Sequence, residues 1–291
     1  MRRAERETIP GWRKPSAATR LAVHAVTWLT ALTMVLPFWW MLSTSLKSPV
    51  EAIAIDPTLL PAGWPWEWRW SNYAEAWRSA RLGDFYANSL IVAVVVTSLS
   101  VLHNALAGFA FAKLRFAGRR TIFVAILFTM MMPFQVYFIF AYLICDRLGY
   151  IDNYQALIVP FLATAFGIFY MRQAISTLPD DLLAAGRLDG FTDFELFWHI
   201  ALPSIRPAVG ALAIFTFMGS WNSFFWPLIV IDSNDMYTLP LAVNALASGL
   251  YVDSWPVQMA AASAITVPIV IVFLLFQRRF VEGLTLTGMK G

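Results

Sequence analysis

Six stretches of the chain run without a single Asp, Glu, Lys or Arg: Leu21–Leu42, Phe85–Ala112, Thr121–Cys145, Asn153–Met171, Pro207–Ile231 and Ser254–Gln277. A helix needs about 20 largely apolar residues to cross the roughly 30 Å of bilayer hydrocarbon. Each stretch reaches or nearly reaches that length. The pattern predicts an all-α integral membrane protein with six transmembrane helices. Each helix is expected to use only part of its window, since Phe85–Ala112 is too long for a straight crossing.

The charges between the windows set an orientation. The N-terminal tail, the loops 2–3 and 4–5 and the C-terminal tail hold 16 of the 21 Lys and Arg, and the other side holds five. Cytoplasmic loops retain the basic excess, so both termini are expected in the cytoplasm. The first window is too long for the core of a cleavable signal peptide and reads as an uncleaved anchor. This divides the chain into a basic tail (1–20), a membrane domain (21–280) with a cytoplasmic loop at 172–206, and a C-terminal tail (281–291).

Composition strengthens the picture. The 291 residues are 59% hydrophobic and 13% charged, against roughly 45–50% and 25% in soluble domains. One cysteine, Cys145, excludes a disulfide framework, and three histidines in separate segments do not make a metal site. No G-x-x-x-x-G-K-[ST] phosphate loop occurs. The windows hold no ionisable residue besides His24 and His103, which leaves no buried carboxylate relay for a proton or sodium. A solute moved through these spans must draw its energy from another chain.

Two loops are longer than turns require. The 1–2 loop carries Trp64, Trp66, Trp68 and Trp70 at period two, which fits a strand or extended segment. Such a segment either lies at the lipid headgroups, where indoles prefer to sit, or forms a docking surface. In the 4–5 loop, Pro179 and the acids Asp180 and Asp181 start a short helix. Leu182, Leu183, Ala185, Gly186 and Asp189 fall near one of its faces. Asp189-Gly190 ends it, Thr192 to Glu195 reads as a capping box for a second helix through His199, and Leu202-Pro203 is expected to stop that one. From the residues alone this is either a bare surface hairpin or a docking knob with a small-residue face.

The run LPDDLLAAGRLDGFTDFELFWHIALPSIRP (178–207) resembles the EAA loop of the membrane subunits of ABC importers. More narrowly, the chain is similar to carbohydrate-uptake permeases of the maltose-permease G type. AGFAFAKLRFAGR (107–119), TMMMPFQV (129–136), GSWNSFFWPL (219–228), YTLPL (237–241) and FVEGLTLTGMKG (280–291) carry the likeness over nearly all of the chain after residue 85. Two departures stand out: the Glu of the pattern is Ala184, and its second Ala is Gly186. In the family that Glu is thought to pair with a base on the ATPase. Asp181 or Glu195 is the candidate substitute here.

The resemblance implies a permease subunit of the bacterial or archaeal cytoplasmic (inner) membrane that translocates a sugar or oligosaccharide by alternating access. It implies a homologous second permease, two copies of an ABC ATPase that bind the ATP and Mg, and an extracytoplasmic sugar-binding protein. This chain then has no cofactor and no catalytic residue. The residues expected to couple to the ATPase are Asp181, Leu183, Ala184, Ala185, Gly186, Asp189, Gly190, Phe194, Leu202 and Pro203. Trp221, Asn222 and Phe225 are either ordinary packing or part of the sugar path. Asn244, Ser248, Gly249 and Tyr251 lie in a plain loop or one that reaches the binding protein. The tail after Phe280 is expected to be flexible alone, with Gly283, Gly288 and Gly291. Two other readings compete. One keeps the architecture with a polyol, glycerol phosphodiester or other small solute as cargo. The other is an intramembrane serine hydrolase built on Ser220 with His103 or His24, for which the sequence context is missing.

Overall fold

A computed structural model describes residues 16–79, 81–248 and 254–288, and every regular element among them is helical. Three helices are long and apolar enough to cross a membrane, and the number rises to six if each of three sharply bent pairs is one span. The first, α1 (Ala17–Ser45), starts where the Ser16 side chain accepts the Thr19 N–H. Up to Leu42 its side chains stay largely exposed, as an apolar helix facing lipid should be. Its packing partner is the last long helix.

The 1–2 loop holds the short helices α2 (Pro49–Ala52) and α3 (Ser71–Ser79). Its described residues contain no strand. Instead the Trp64 carbonyl accepts the Glu67 N–H at 2.8 Å, and the chain turns so tightly that the Trp64 and Trp66 rings stack 5.2 Å apart. Pro65 and Gly63, at φ +81°, favour that turn over an extended run. Trp39 of α1 donates its indole N–H to Leu59, which ties the loop to the end of that helix.

The centre of the molecule is α4 (Leu82–Lys113). After it come α5 (Arg119–Thr129) and α6 (Phe134–Arg147), which meet at 105°. The expected single helix over Thr121–Cys145 is therefore broken. Pro133 donates no N–H and pushes Met132 out of the helical region, and turn bonds from Met130, Met131 and Met132 close α5. Next, α7 (Tyr154–Phe161) and α8 (Ala165–Ser176) meet at 41°, with Pro160 just before the break and Thr164 capping α8.

Then follow α9 (Asp180–Leu188), α10 (Asp193–Ser204) and α11 (Arg206–Trp221). The expected span Pro207–Ile231 ends early, at Trp221, and resumes as α12 (Phe225–Val230). Pro227 lies in the first turn of α12, where its missing N–H costs nothing. The chain closes with α13 (Leu239–Ala247) and α14 (Trp255–Gly288). The tail expected to be flexible after residue 280 is helical as far as Gly288, and Gly291 lies outside the described residues.

Glycine sets how closely α4 and α8 approach. A Cβ on Gly108 would stand 2.6 Å from Met171 Cβ and 2.8 Å from the Arg172 nitrogen, and one on Gly167 would stand 2.5 Å from the Asn104 amide. Asn104 is fully buried, donates to Ser100 Oγ and accepts the Thr164 N–H at 3.0 Å. At the N-terminal end of α4, Asn88 donates to the Asp235 and Tyr237 carbonyls and accepts the Tyr154 hydroxyl at 2.6 Å. Asp152 accepts the Asp232 and Ser233 N–H groups and the Ser233 hydroxyl. The 3–4 and 5–6 loops are thus held to one another and to α4.

Gly108→Ala is expected to cost about 1–3 kcal/mol, because the new methyl meets backbone that cannot move aside. Gly219→Ala, whose Cβ meets nothing within 4 Å, should be neutral. Thermal unfolding of the two variants in detergent, followed by size-exclusion chromatography, compares them directly. Equal midpoints would show that the α4–α8 contact is not tight.

Candidate functional site

The 4–5 segment folds as a stiff hairpin. In α9, Leu183 and Gly186 are the buried residues, one turn apart. They face α10: a Cβ on Gly186 would stand 2.6 Å from Leu196 Cδ2 and 2.8 Å from Ile200 Cδ1. The face expected from sequence is therefore split. Leu183 and Gly186 pack inside the hairpin, whereas Leu182, Ala185 and Asp189 are exposed, with Asp181 and Ala184 beside them. Gly190 ends α9 at φ +89°, a conformation that strains any residue with a Cβ. The expected capping box forms: Glu195 donates its N–H to Thr192 Oγ1 and accepts the Thr192 N–H at 2.8 Å.

Leu202-Pro203 does not stop the second helix. Residues 196–201 widen into a π-helical turn, and helix continues to Ser204. The wider turn takes up Pro203, whose ring would clash with the carbonyl four residues back in a regular α-helix. The break comes at Ile205, after which α11 departs at 83°. Leu202 and Pro203 are half-buried at this corner.

Two fastenings hold the hairpin to the spans, and a third braces its own two helices. Leu183, Leu196, Phe197 and Ala201 share a core with Phe109 of α4, Met171 and Ile175 of α8 and Leu212 of α11. Lys113, the last residue of α4, is almost fully buried and donates to the Leu178 carbonyl and to Asp180, both at 2.6 Å. Arg187 pairs with Asp193 across the turn at 3.1 Å. The Lys113 contacts escaped sequence reasoning; a lone basic residue in the last turn of a long apolar helix is the signal that could have shown them. The Asp180 carboxyl is held below its usual range by its hydrogen bond and ion pair with Lys113. Glu195 is likewise lowered by the Thr192 backbone and hydroxyl.

The hairpin surface exposes large apolar side chains among its charged ones. Leu182, Leu188, Phe191, Phe194 and Trp198 are all well exposed, Leu188 at 90%. Phe194 and Trp198 pack against one another at 6.1 Å, and so many exposed large apolar side chains on one protrusion suit an interaction surface. Glu195, one candidate substitute for the missing glutamate, is committed to its cap; Asp181 is exposed and has no ion-pair partner among the described residues.

The other candidates lie apart from the hairpin. Trp221 is buried against Phe217 and Tyr86. Asn222 is exposed at the C-terminus of α11 and donates to the Met218 carbonyl at 2.8 Å. Phe225 is 41% exposed and packs edge-on against Phe134 and Phe138. None of the three lines the cavity of about 360 Å³ between α4, α7, α8, α11 and α12; their neighbours Ser220, Ser223 and Trp226 do. Asn244 and Ser248 are exposed at the end of α13, and Gly249 and Tyr251 lie outside the described residues. His103 is exposed, donates from Nδ1 to the Leu99 carbonyl at 2.6 Å, and does not line the cavity with Ser220, so no serine–histidine pair forms there.

An all-helical membrane chain carrying a braced protrusion with exposed apolar side chains has the build of a transport component worked by other proteins. It matches the family described as "Binding-protein-dependent transport system inner membrane component" over residues 104–285, and it belongs to that family of multi-pass inner-membrane permeases. Membership implies a binding-protein partner and an ATPase partner that holds the ATP; the chain is a permease subunit and not itself catalytic. It is 32% identical to the arabinooligosaccharides transport system permease protein AraQ of Bacillus subtilis (strain 168) over 279 residues, 94% of this chain and 96% of that one. It is 32% identical to the lactose transport system permease protein LacG of Rhizobium radiobacter over 261 residues, 90% and 93% of the two chains. Its fold is that of a chain in the crystal structure of a bacterial ABC transporter involved in the import of the acidic polysaccharide alginate. The TM-score is 0.77 at 22% identity, covering 92% of this chain and all of that one.

Lys113→Met is expected to loosen the hairpin, seen as faster trypsin cleavage at exposed Arg187 in the reconstituted protein. The pH dependence follows from the lowered carboxyls. Their contribution is complete above the ordinary carboxylate range and is lost as pH falls below it, through the folded-state pKa values. Protection of Arg187 in the wild type should thus persist from neutral pH down to that range. Equal cleavage of variant and wild type at neutral pH would show that Lys113 does not brace the hairpin.

Proposed function

We propose that this chain is one of two transmembrane subunits of a sugar or oligosaccharide importer, pairing with a homologous permease and two copies of an ATPase. The braced hairpin Asp180–Ser204 carries the reading. It joins three membrane helices in one core and exposes large apolar side chains, so a push on it reaches the spans without being absorbed by a flexible loop. In this reading the chain crosses the membrane six times with both termini in the cytoplasm, as the 16-to-5 split of basic residues supports. The bent pair α5–α6 serves as one crossing, α7–α8 as another and α11–α12 as the fifth. The hairpin then lies on the ATPase side, and Asn244 and Ser248 lie on the side of the sugar-binding protein.

Closure of the ATPase dimer on ATP displaces both hairpins and switches the spans between inward-open and outward-open states. Asp181, Ala184, Ala185, Phe194 and Gly190 form or shape the docking surface, while Leu183, Gly186, Leu202 and Pro203 keep it rigid. A sugar cargo is supported by the uptake systems of the two relatives and by spans without basic residues to hold an anion.

The direct test is reconstitution in lipid with the partner permease, the ATPase and the binding protein. ATP hydrolysis and uptake are measured with arabinotriose, lactose and glycerol 3-phosphate. Stimulation by a sugar-loaded binding protein is expected. Response to glycerol 3-phosphate alone would replace the sugar with an anionic polyol ester. Gly190→Val tests the hairpin itself. A Cβ there meets nothing within 4 Å, so the cost is backbone strain of about 1–2 kcal/mol. Uptake should fall on the order of tenfold with membrane insertion unchanged, and normal uptake at equal abundance would refute the coupling role.

A further inference from the structure

Two of the broken spans open onto one space. The 41° bend between α7 and α8 contributes Thr164, and the non-helical residues between the end of α11 at Trp221 and the start of α12 at Phe225 contribute Ser223, to the wall of the cavity of about 360 Å³. Irregular backbone at membrane depth persists only where protein buries it or where it lines a polar cavity, because lipid offers its N–H and C=O groups no partner. Two breaks meeting at one cavity mark that cavity as the place where the chain has given up helix for access.

Its walls carry aliphatic, aromatic and hydroxyl groups and no ionisable side chain. Phe166, Phe215 and Trp226 supply flat apolar surfaces, and the Trp226 ring is fixed by an indole N–H donated to the Ala156 carbonyl at 2.8 Å. Thr216, Ser220 and Ser223 supply hydroxyls that make no hydrogen bond to other described residues and are not sealed from solvent. Aromatic faces suit the C–H faces of a sugar ring, and free hydroxyls exchange donors and acceptors with its hydroxyls. The lack of charge suits a neutral ring. Gly219 lies on the same wall, and a Cβ built there meets nothing within 4 Å, so the glycine answers no packing need of the fold. It leaves room in the cavity.

We propose that this cavity is a carbohydrate subsite belonging to this subunit, that it takes one or two neutral sugar rings, and that Gly219 sets the space available to them. The proposal rests on the sugar-importer reading above and deepens it by naming where the sugar is held.

The test uses the complete reconstituted transporter. Ser220→Cys and Ser223→Cys are introduced separately and labelled with a charged, water-soluble methanethiosulfonate reagent; the native thiol, Cys145, is buried and gives little background. Both positions should label. Saturating arabinotriose or lactose, whichever sugar the wild-type complex transports, should slow labelling about fivefold or more, the size of one or two hydrogen bonds. Absence of labelling overturns the open cavity, and labelling unaffected by the transported sugar overturns the subsite.

Gly219→Phe fills the space. It should lower uptake on the order of tenfold while ATP hydrolysis still responds to the loaded binding protein; unchanged uptake overturns the proposal. If that variant does not assemble, the two cysteine positions decide the matter alone. Failure of the importer reading looks different: the wild-type complex then responds to neither sugar, before any variant is made, and the subsite falls with it.

Discussion

The structure depends on α4 and on how little lies between it and its neighbours. Gly108 and Gly167 bring α4 and α8 so close that a single methyl group would meet backbone or a buried amide. At that distance the two helices move as one body, since packed interiors resist small displacements rather than flowing around them. Polar contacts then attach the remaining elements along the length of α4. Asn88 and Ser89 hold the 5–6 loop at one end, Asn104 holds the break before α8, and Lys113 holds the hairpin at the other end. Each of these four side chains is hydrogen-bonded, which is the condition for tolerating polar groups there.

This arrangement makes a hairpin of short helices stiff, as the proposed coupling role requires. Helices of nine and twelve residues are marginal alone. Here α9 and α10 are closed by a glycine turn and a capping box, cross-braced by Arg187 and Asp193, and sunk by Leu183, Leu196 and Phe197 into a core they share with α4, α8 and α11. The π-helical turn before Leu202 keeps the segment helical through Pro203, so the sharp angle falls at a single residue, Ile205, in place of a loop. One corner between two stiff elements is what a lever requires.

Legibility in the sequence followed the strength of the local signal. The apolar windows, the Gly190 turn and the Thr192–Glu195 cap were readable because each is decided by a few neighbouring residues. The 105° bend between α5 and α6 was not: Pro133 announces a break, but the angle depends on what α5 and α6 pack against, which is set by residues far away in the chain. Period two at Trp64–Trp70 misled because Pro65 and Gly63 outweigh alternation over so short a run. The reading that Leu182 and Leu183 share one face with Gly186 failed for a related reason. A helical wheel shows which residues are neighbours, but not which of two available partners will cover them. In the cavity, aromatic residues drew attention to Trp221 and Phe225, while the lining came from the residues beside them; the break at Asn222–Phe224 shifts the register that a continuous helix would have kept.

Ala184 acquires meaning in this setting. The hairpin's acids are mostly committed: Asp180 to Lys113, Asp193 to Arg187 and Glu195 to its own cap. Only Asp181 and Asp189 have neither an ion pair nor a capping bond among the described residues of the hairpin, and both are exposed at its surface. An exposed ion pair contributes little, about 0–1 kcal/mol, whereas covering a large apolar side chain contributes about 1.5–3 kcal/mol. With Leu182, Leu188, Phe194 and Trp198 exposed on the same hairpin as Ala184, loss of one carboxylate from it removes the smaller of the two contributions. In the proposed function, the absent glutamate would bear more on the orientation of the docked ATPase than on whether it docks, because a charge pair fixes register where an apolar face does not.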